Sequence, residues 1–551
     1  MLVSGVMLAV IAAVPGIAAA KRPLPGDPMS TYVSARTASL VGDYRRSAEL
    51  YAALAEANPA DRVVAGRAVA QAISGGDIVL ALQLARNIPQ GADLGVDARL
   101  LLVAEELRNG REGRGLALLR AEGSEPDLSF LAPIVDAWAS VRRDGNRALN
   151  ILTEVPVGSP VGARVSEHRA LILLQMGKSA DADPYARRAI GMAGGRENHL
   201  RLALADAFLK ARDKKRALEM LSGRELALGI GRRSIEAGKP TGTAIDTPAK
   251  AYAELLMAMA IDLNRSNSRA LPIALVQIAR HADPANAQAA IIHGLLLEAD
   301  KRPDAALAAF RAVGRGDPLS SQARDGEART LTRAKRFDEA LALAHGAASA
   351  PDATADDLSR LGDVLSAMDR EGEAADAYGR AAKIAEATGL GGELWTLQLL
   401  RGGALERADR WPEAKQALQA ALALAPEQPL ILNYLGYAKL ERAEDLDGAE
   451  AMIAKASALA PDDASITDSL GWAQYKRGRL PEAIATLQRA AATDPTQVEI
   501  HEHLGDALYA AGRRFEARFA WEAAMIGAEE DVAKRLKAKL EAGLTVANAA
   551  P

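Results

Sequence analysis

The chain has 551 residues, 49% hydrophobic yet only 4% aromatic, with 25% charged residues and a net charge of -4. A charge this close to balance argues against a polyanion-binding surface and so against nucleic acid as a partner. The absence of cysteine excludes disulfides, thiolate metal sites, cysteine nucleophiles and lipidation of a processed N-terminal cysteine, and the scarcity of aromatics leaves Ala, Leu and Val to build the core.

The chain opens on Met1 to Ala20, where the apolar run Val6 to Val14 is followed by Ala18-Ala19-Ala20 before Lys21-Arg22. That order fits a secretory signal with an A-x-A cleavage site, although it lacks a basic leading region. Pro15-Gly16 interrupts the run, which is short of the roughly 20 apolar residues needed to cross a bilayer. The expectation is export to a periplasm; a non-cleaved anchor and a cytoplasmic chain are the alternatives. No later segment has the length and apolar character of a membrane span.

After a proline-rich linker over 21–27, degenerate helical hairpins are expected through 28–221. Their marks are the turns Gly42-Asp43, Gly76-Asp77, Asn109-Gly110, Asp144-Gly145, Gly177 and Asp213, each followed by alanines or leucines at helical spacing. Between 222 and 252 the pattern stops, and Gly223, Gly229, Gly231, Gly238, Pro240, Gly242 and Pro248 suggest a junction. One more degenerate repeat with a long inserted loop is the other reading. Gly229-x-Gly231 and Gly238-Lys239-Pro240-Thr241 lack the further glycines and the strand that a phosphate-binding loop requires, so both read as linker.

From 253 to 531 the units fall on arithmetic. Starts near Ala253, Ala287, Ser321 and Ala355 are 34 residues apart, and later starts fall at Trp395, Pro429, Ala464 and Val498. The period is clearest in the last two units, where Leu470-Gly471, Gly478, Ala483, Leu487 and Ala490 recur 34 residues on as Leu504-Gly505, Gly512, Ala517, Trp521 and Ala524. Such a period marks stacked units, none of which buries its apolar face alone. Gly478 ends a first helix, Pro481-Glu482 opens a second, and Ala483, Leu487 and Ala490 share one face of it. Gly471 and Ala483 are small where the two helices cross. Over 532–544, Val532, Leu536, Leu540 and Leu544 predict a capping helix with Lys534, Arg535, Lys537 and Lys539 on its outer face; 545–551 reads as a disordered tail.

These residues resemble the tetratricopeptide repeat, with Leu-Gly in its first helix, small residues at the crossing and a late proline. The resemblance implies an all-α superhelical solenoid of about thirteen helical hairpins with a C-terminal capping helix. It also implies that positions 2, 5, 9, 12 and 13 of each repeat line a concave, protein-binding groove. The candidate contact residues among those positions are Asn433, Tyr437, Asp468, Trp472, Tyr475, Lys476, Glu502, Asp506 and Tyr509. Four aromatics then fall on one wall; the other reading is that Trp472 and Tyr475 fill gaps between repeats. The Lys and Asn that clamp a peptide terminus in this family are replaced by Asn433, Asp468 and Glu502 and by Tyr437, Trp472 and Asp506, so that mode of recognition is not expected.

His501-Glu502-His503 is not expected to hold a metal, because residues two apart on a helix point about 200° from one another. No catalytic triad motif and no cofactor-binding motif stand out, and no cofactor or enzymatic activity is expected. Over roughly Thr247 to Asp531 the chain is similar to long bacterial cell-envelope tetratricopeptide proteins that serve as adaptors for a carboxyl-terminal processing protease. That resemblance implies a periplasmic scaffold with protein partners. A structural part of an envelope assembly or polysaccharide export machine is the alternative.

Overall fold

The computed structural model describes residues 26–88, 94–121, 127–264, 270–389 and 394–550; the signal expected over 1–20 lies outside them. The described residues hold thirty α-helices and three single 3-10 turns joined by loops, with no strand among them. Consecutive helices pair as antiparallel hairpins, in keeping with a solenoid of about thirteen. The chain divides into two compact units, one running to Thr330 and one beginning at Leu331.

The turn inside each hairpin explains why the repeats look unequal in sequence. The residue closing the first helix sits in the left-handed region, at φ +81° for Gly42, +82° for Gly76, +75° for Gly478 and +81° for Gly512. Where glycine is absent the same conformation is adopted by Arg212, Lys301, Lys335, Asp369, Asp409 and Ala443, at φ +63°, +58°, +56°, +58°, +58° and +51°. The hairpin therefore survives without its marker residue, at some conformational cost for each side chain. In the first unit Asp43, Asp61, Asp77, Asp144 and Asp213 then cap the next helix, each accepting a backbone N–H three residues on at 2.9 to 3.1 Å.

The first unit contains α1 (Pro28–Leu40), α2 (Tyr44–Ala57), α3 (Arg62–Gly75), α4 (Ile78–Asn87), α5 (Val96–Arg108), α6 (Glu112–Leu119), α7 (Ala132–Ser140), α8 (Gly145–Thr153), α9 (Val165–Gln175), α10 (Ser179–Gly191), α11 (Glu197–Lys210) and α12 (Lys214–Met220). Next comes α13 (Leu226–Glu236), inside the stretch expected to be a junction. It is no break in the core. Leu226, Ala227, Leu228 and Ile235 are buried, and Gly231 lets α13 approach α11 so closely that a Cβ there would stand 2.5 Å from the Leu202 side chain. Of the glycines read as linker, Gly229 and Gly231 are buried within α13, while Gly223, Gly238 and Gly242 lie outside it at positive φ. The loop after α13 is held by Asp206, whose carboxylate accepts the backbone N–H groups of Thr241, Gly242 and Thr243 at 2.5, 3.1 and 3.0 Å.

The unit expected to begin a second array at Ala253 instead folds back. α14 (Pro248–Leu263) and α15 (Ala270–Ala282) form a hairpin that packs on earlier helices, α14 against α5 and α7 and α15 against α3 and α5. The physical reason lies in α14, which buries Ala251, Tyr252, Ala253, Glu254, Leu255, Leu256, Met257, Ala258 and Ala260 and so has no polar face to give to water. A cluster of charges fixes its register. Arg196 is ion-paired to Glu167 at 2.8 Å and to Glu254 at 3.0 Å, His199 meets Glu254 at 2.7 Å, and Asn286 donates to Glu254 at 2.8 Å. All five are buried. The unit closes with α16 (Ala287–Ala299), α17 (Pro303–Arg311) and α18 (Ser320–Arg333) as far as Thr330.

The second unit contains α19 (Phe337–Ala348), α20 (Ala355–Ser366), α21 (Glu371–Thr388), α22 (Leu394–Arg407), α23 (Trp411–Leu424), α24 (Pro429–Glu441), α25 (Leu446–Leu459), α26 (Ala464–Lys476), α27 (Leu480–Thr493), α28 (Val498–Ala510), α29 (Arg514–Met525) and α30 (Glu530–Ala542). The close approach within its hairpins is visible at Gly471, where a Cβ would stand 2.6 Å from Leu487 Cγ, while Ala483 is fully buried. Gly471→Leu is therefore expected to overfill the α26–α27 crossing at a cost of roughly 1 to 3 kcal/mol. Because stacked repeats interact mainly with their neighbours, hydrogen exchange should accelerate in α24 to α30 and stay unchanged in α1 to α15. Acceleration spread evenly along the chain would contradict this architecture.

Candidate partner-binding groove

The groove candidates lie on α24, α26 and α28, the first helices of three successive hairpins, which pack α24 on α26 and α26 on α28. Trp472 is their centre. Its ring is stacked between Tyr475, 4.7 Å away at 15°, and His503, 4.1 Å away at 14°. Its indole N–H donates to Glu441 at 3.1 Å, and Lys476 lies 5.0 Å from the ring centroid while pairing with Glu441 at 3.4 Å. His503 Nδ1 meets Asp468 Oδ2 at 2.8 Å. Burial alone would lower the pKa of His503, but Asp468, with Asp506 and Glu502 behind it, outweighs that and holds the pKa above its ordinary value.

The buried acids among the candidates are neutralised from within. Asp506 accepts the Trp521 indole N–H at 2.9 Å and the Lys539 ammonium at 2.8 Å. Glu502 pairs with Lys539 at 2.6 Å and, through two hydrogen bonds of 2.8 Å, with Arg535. Burial works to raise the pKa of Glu502; the hydrogen bonds from Arg535 and Lys539 overcome it and hold the carboxyl below its ordinary value. The expected outer face of α30 is corrected here. Lys534 and Lys537 are exposed, but Arg535 is half-buried and Lys539 is buried, 1% exposed, because Lys539 stands one 34-residue period after Gly505 and turns inward to pair with Glu502 and Asp506.

The nine candidates separate by burial. Asp468, Trp472, Glu502 and Asp506 are buried; Asn433, Tyr437, Tyr475 and Tyr509 are half-buried; Lys476 is exposed. Tyr437, Trp472 and Tyr475 belong to one apolar cluster with Leu440, Ile453 and Ala473. Tyr509 belongs to the next, against Trp521 at 5.5 Å and beneath Arg514. Tyr475 packs on both. Asn433 Oδ1 and Asp468 Oδ1 are buried without a hydrogen-bond partner. The two histidines flanking Glu502 diverge: His501 faces the Pro495 carbonyl at 3.0 Å and His503 faces Asp468. Among the described residues no group of three or more acids and histidines is arranged to hold a metal.

Sequence reasoning missed His503, Lys539 and the segment after α30. Lys539 carries a signal, a lysine at the position held by Gly505 and Gly471 in the two preceding units, whereas His503 stands where the preceding unit has Ser469 and carries none. The third was expected to be disordered, yet Asn548 and Ala550 are buried and Ala550 donates its backbone N–H to Asp506 at 3.0 Å. Among the described residues no helix is long and apolar enough to cross a membrane.

A profile of the TPR repeat matches residues 471–512, which is most of α26 through α28. No curated protein matches the chain. Among solved structures it is similar to the Cut9–Hcn1 hetero-tetramer of the APC/C, at 15% identity over 94% of this chain and 97% of that one, with a TM-score of 0.37. It is also similar to YrrB, described as a TPR protein with an unusual peptide-binding site, at 20% identity over 34% of this chain and 91% of that one, TM-score 0.27. A tetratricopeptide repeat protein from Parabacteroides merdae aligns at 14% identity over 52% of this chain and 96% of that one, TM-score 0.34.

Proposed function

We propose that this protein is a non-enzymatic interaction scaffold of the bacterial envelope that holds a partner protein in the groove formed by α24, α26 and α28. The carrying observation is the gathering of Tyr437, Trp472 and Tyr475 into one apolar cluster beside the carboxylates of Asp468, Glu502 and Asp506. Aromatic anchors with polar tips, ringed by hydrogen-bonding groups, are the usual energetic centre of a protein interface. The narrower reading is an adaptor, exported through Met1 to Ala20, that presents substrates to a processing protease.

The experiment is affinity isolation of the full chain from fractionated cells, with mass spectrometry of what accompanies it. The expected result is a mature chain beginning at Lys21 in the periplasmic fraction, accompanied by a protease or cell-wall hydrolases. Glycan synthesis and export proteins in their place would favour an export machine, and an intact Met1 on cytoplasmic protein would sink the envelope reading.

A further inference from the structure

The groove of the second unit is already occupied by the chain itself. α30 ends at Ala542, and the backbone turns through Gly543 at φ +83° and ψ -179°, a conformation essentially confined to glycine. A Cβ at that point would also collide with the Tyr509 hydroxyl. Beyond it the segment folds on itself, with the Thr545 N–H donating to Asn548 Oδ1 at 2.6 Å and Asn548 Nδ2 donating to the Gly543 carbonyl at 3.0 Å. Its far end reaches the aromatic wall. Ala550 is 6% exposed, shares the apolar cluster of Trp472, Leu440, Ile453 and Ala473 against which Tyr437 and Tyr475 pack, and gives its N–H to Asp506 Oδ2 at 3.0 Å.

The wall around this segment is rich in acceptors. Asp506 takes a backbone amide from it, while Asp468 Oδ1 and Asn433 Oδ1, on the neighbouring helices, are buried with none. Such orphan acceptors call for donors. What the groove accommodates is shown by what sits in it: an alanine methyl and a backbone N–H.

We propose that residues 543–550 are a resident occupant of this groove, and that the partner segment which exchanges for them places an alanine side chain in the cluster of Trp472 and presents backbone N–H groups to Asp506, Asp468 and Asn433. This rests on the scaffold reading and specifies the ligand of the same groove. Because the resident segment is tethered, its effective concentration reaches the millimolar range, and an external segment making the same contacts binds the intact chain more weakly than a chain whose groove is open.

The test uses a fluorescent, end-blocked synthetic peptide of the sequence from Gly543 to Ala550. It is titrated into the full chain, into a chain ending at Ala542 and into the full-length Gly543→Val variant. The expected result is at least tenfold tighter binding to both altered chains, lost when the last alanine of the peptide is replaced by glutamate. In hydrogen exchange the Ala550 amide should be slow in the full chain and fast in Gly543→Val. Equal binding by all three proteins, or an Ala550 amide as fast in the full chain as in the free peptide, overturns the proposal. If the shortened chain ignores the peptide while the full chain still captures its envelope partner, the segment is only a cap and the scaffold reading stands alone. If neither captures anything, both fall.

Discussion

Arg196→Met is expected to destabilise the first unit by about 3 to 5 kcal/mol, the cost of removing one partner from a buried, hydrogen-bonded ion cluster. The substitution leaves Glu167 and Glu254 buried without the guanidinium that joins them. Burial alone would raise the pKa of Glu254, but His199 and Arg196 lower it from 4.5 to about 2, and Asn286 adds a hydrogen bond. A depressed carboxylate stabilises above its unfolded value, so this contribution is present above about pH 4.5 and is lost as the pH falls toward about 2. His199 has the opposite sign. Burial lowers its pKa, Glu254 more than restores it, and the net rise means that its contribution is full below 6.5 and fades as the pH climbs through the higher folded value. In Arg196→Met the stranded carboxylates bind protons more readily, so the deficit should be largest near neutrality and shrink toward pH 4.5. The measurement is hydrogen exchange of α9, α11 and α14 across that range. A deficit under about 1 kcal/mol that ignores pH would show that the cluster is not what holds α14. Replacing Arg196, Glu167 and Glu254 together by apolar residues should recover much of the loss, since such clusters set register more than they add stability.

The contrast between the two units shows what a sequence of this kind makes legible. Starts expected at Ala287, Ser321, Ala355, Pro429, Ala464 and Val498 fall on or within one residue of the first residues of α16, α18, α20, α24, α26 and α28. They were readable because a crossing such as Gly471 on Leu487 tolerates no other size. The fold-back of α14 and α15 was not readable from period, because a hairpin that packs on distant helices has the same local pattern as one that packs on its neighbours. Its trace is the missing polar face of α14 together with ionisable residues, Glu167, Arg196 and Glu254, that pair only after the chain has closed. The surroundings of the candidate residues were half legible. Position counting puts Tyr437, Trp472 and Asp506 on the first helices of successive hairpins, as α24, α26 and α28 have them, but it could not see that Lys539, at a position held by glycine one repeat earlier, would turn inward to neutralise Asp506.

Trp472→Ala is expected to cost the second unit roughly 3 to 5 kcal/mol, as large aromatic truncations in cores do. For a unit of this size that lowers its melting temperature by roughly 6 to 20 °C. The ring is 1% exposed and stacked on both faces, so its loss opens a cavity between Tyr475 and His503 and leaves Glu441 without its indole donor. Trp472→Phe keeps an aromatic face for both neighbours and should recover more than half of the loss. His503 carries a raised pKa through Asp468, so the pair it forms stabilises fully below 6.5 and weakens as the pH rises through the folded value; melting of the unaltered unit should decline over the same interval. Recognition should be read instead from Tyr437, which is half-buried and makes no stacking contact with Trp472 of the kind Tyr475 makes. Tyr437→Ala is expected to weaken partner capture by about 2 kcal/mol, near thirtyfold, with a smaller shift in melting than Trp472→Ala. Circular dichroism, melting and capture on one sample separate the two roles. Intact capture by a well-folded Tyr437→Ala chain would mean that the aromatic cluster is packing throughout and that the partner binds elsewhere.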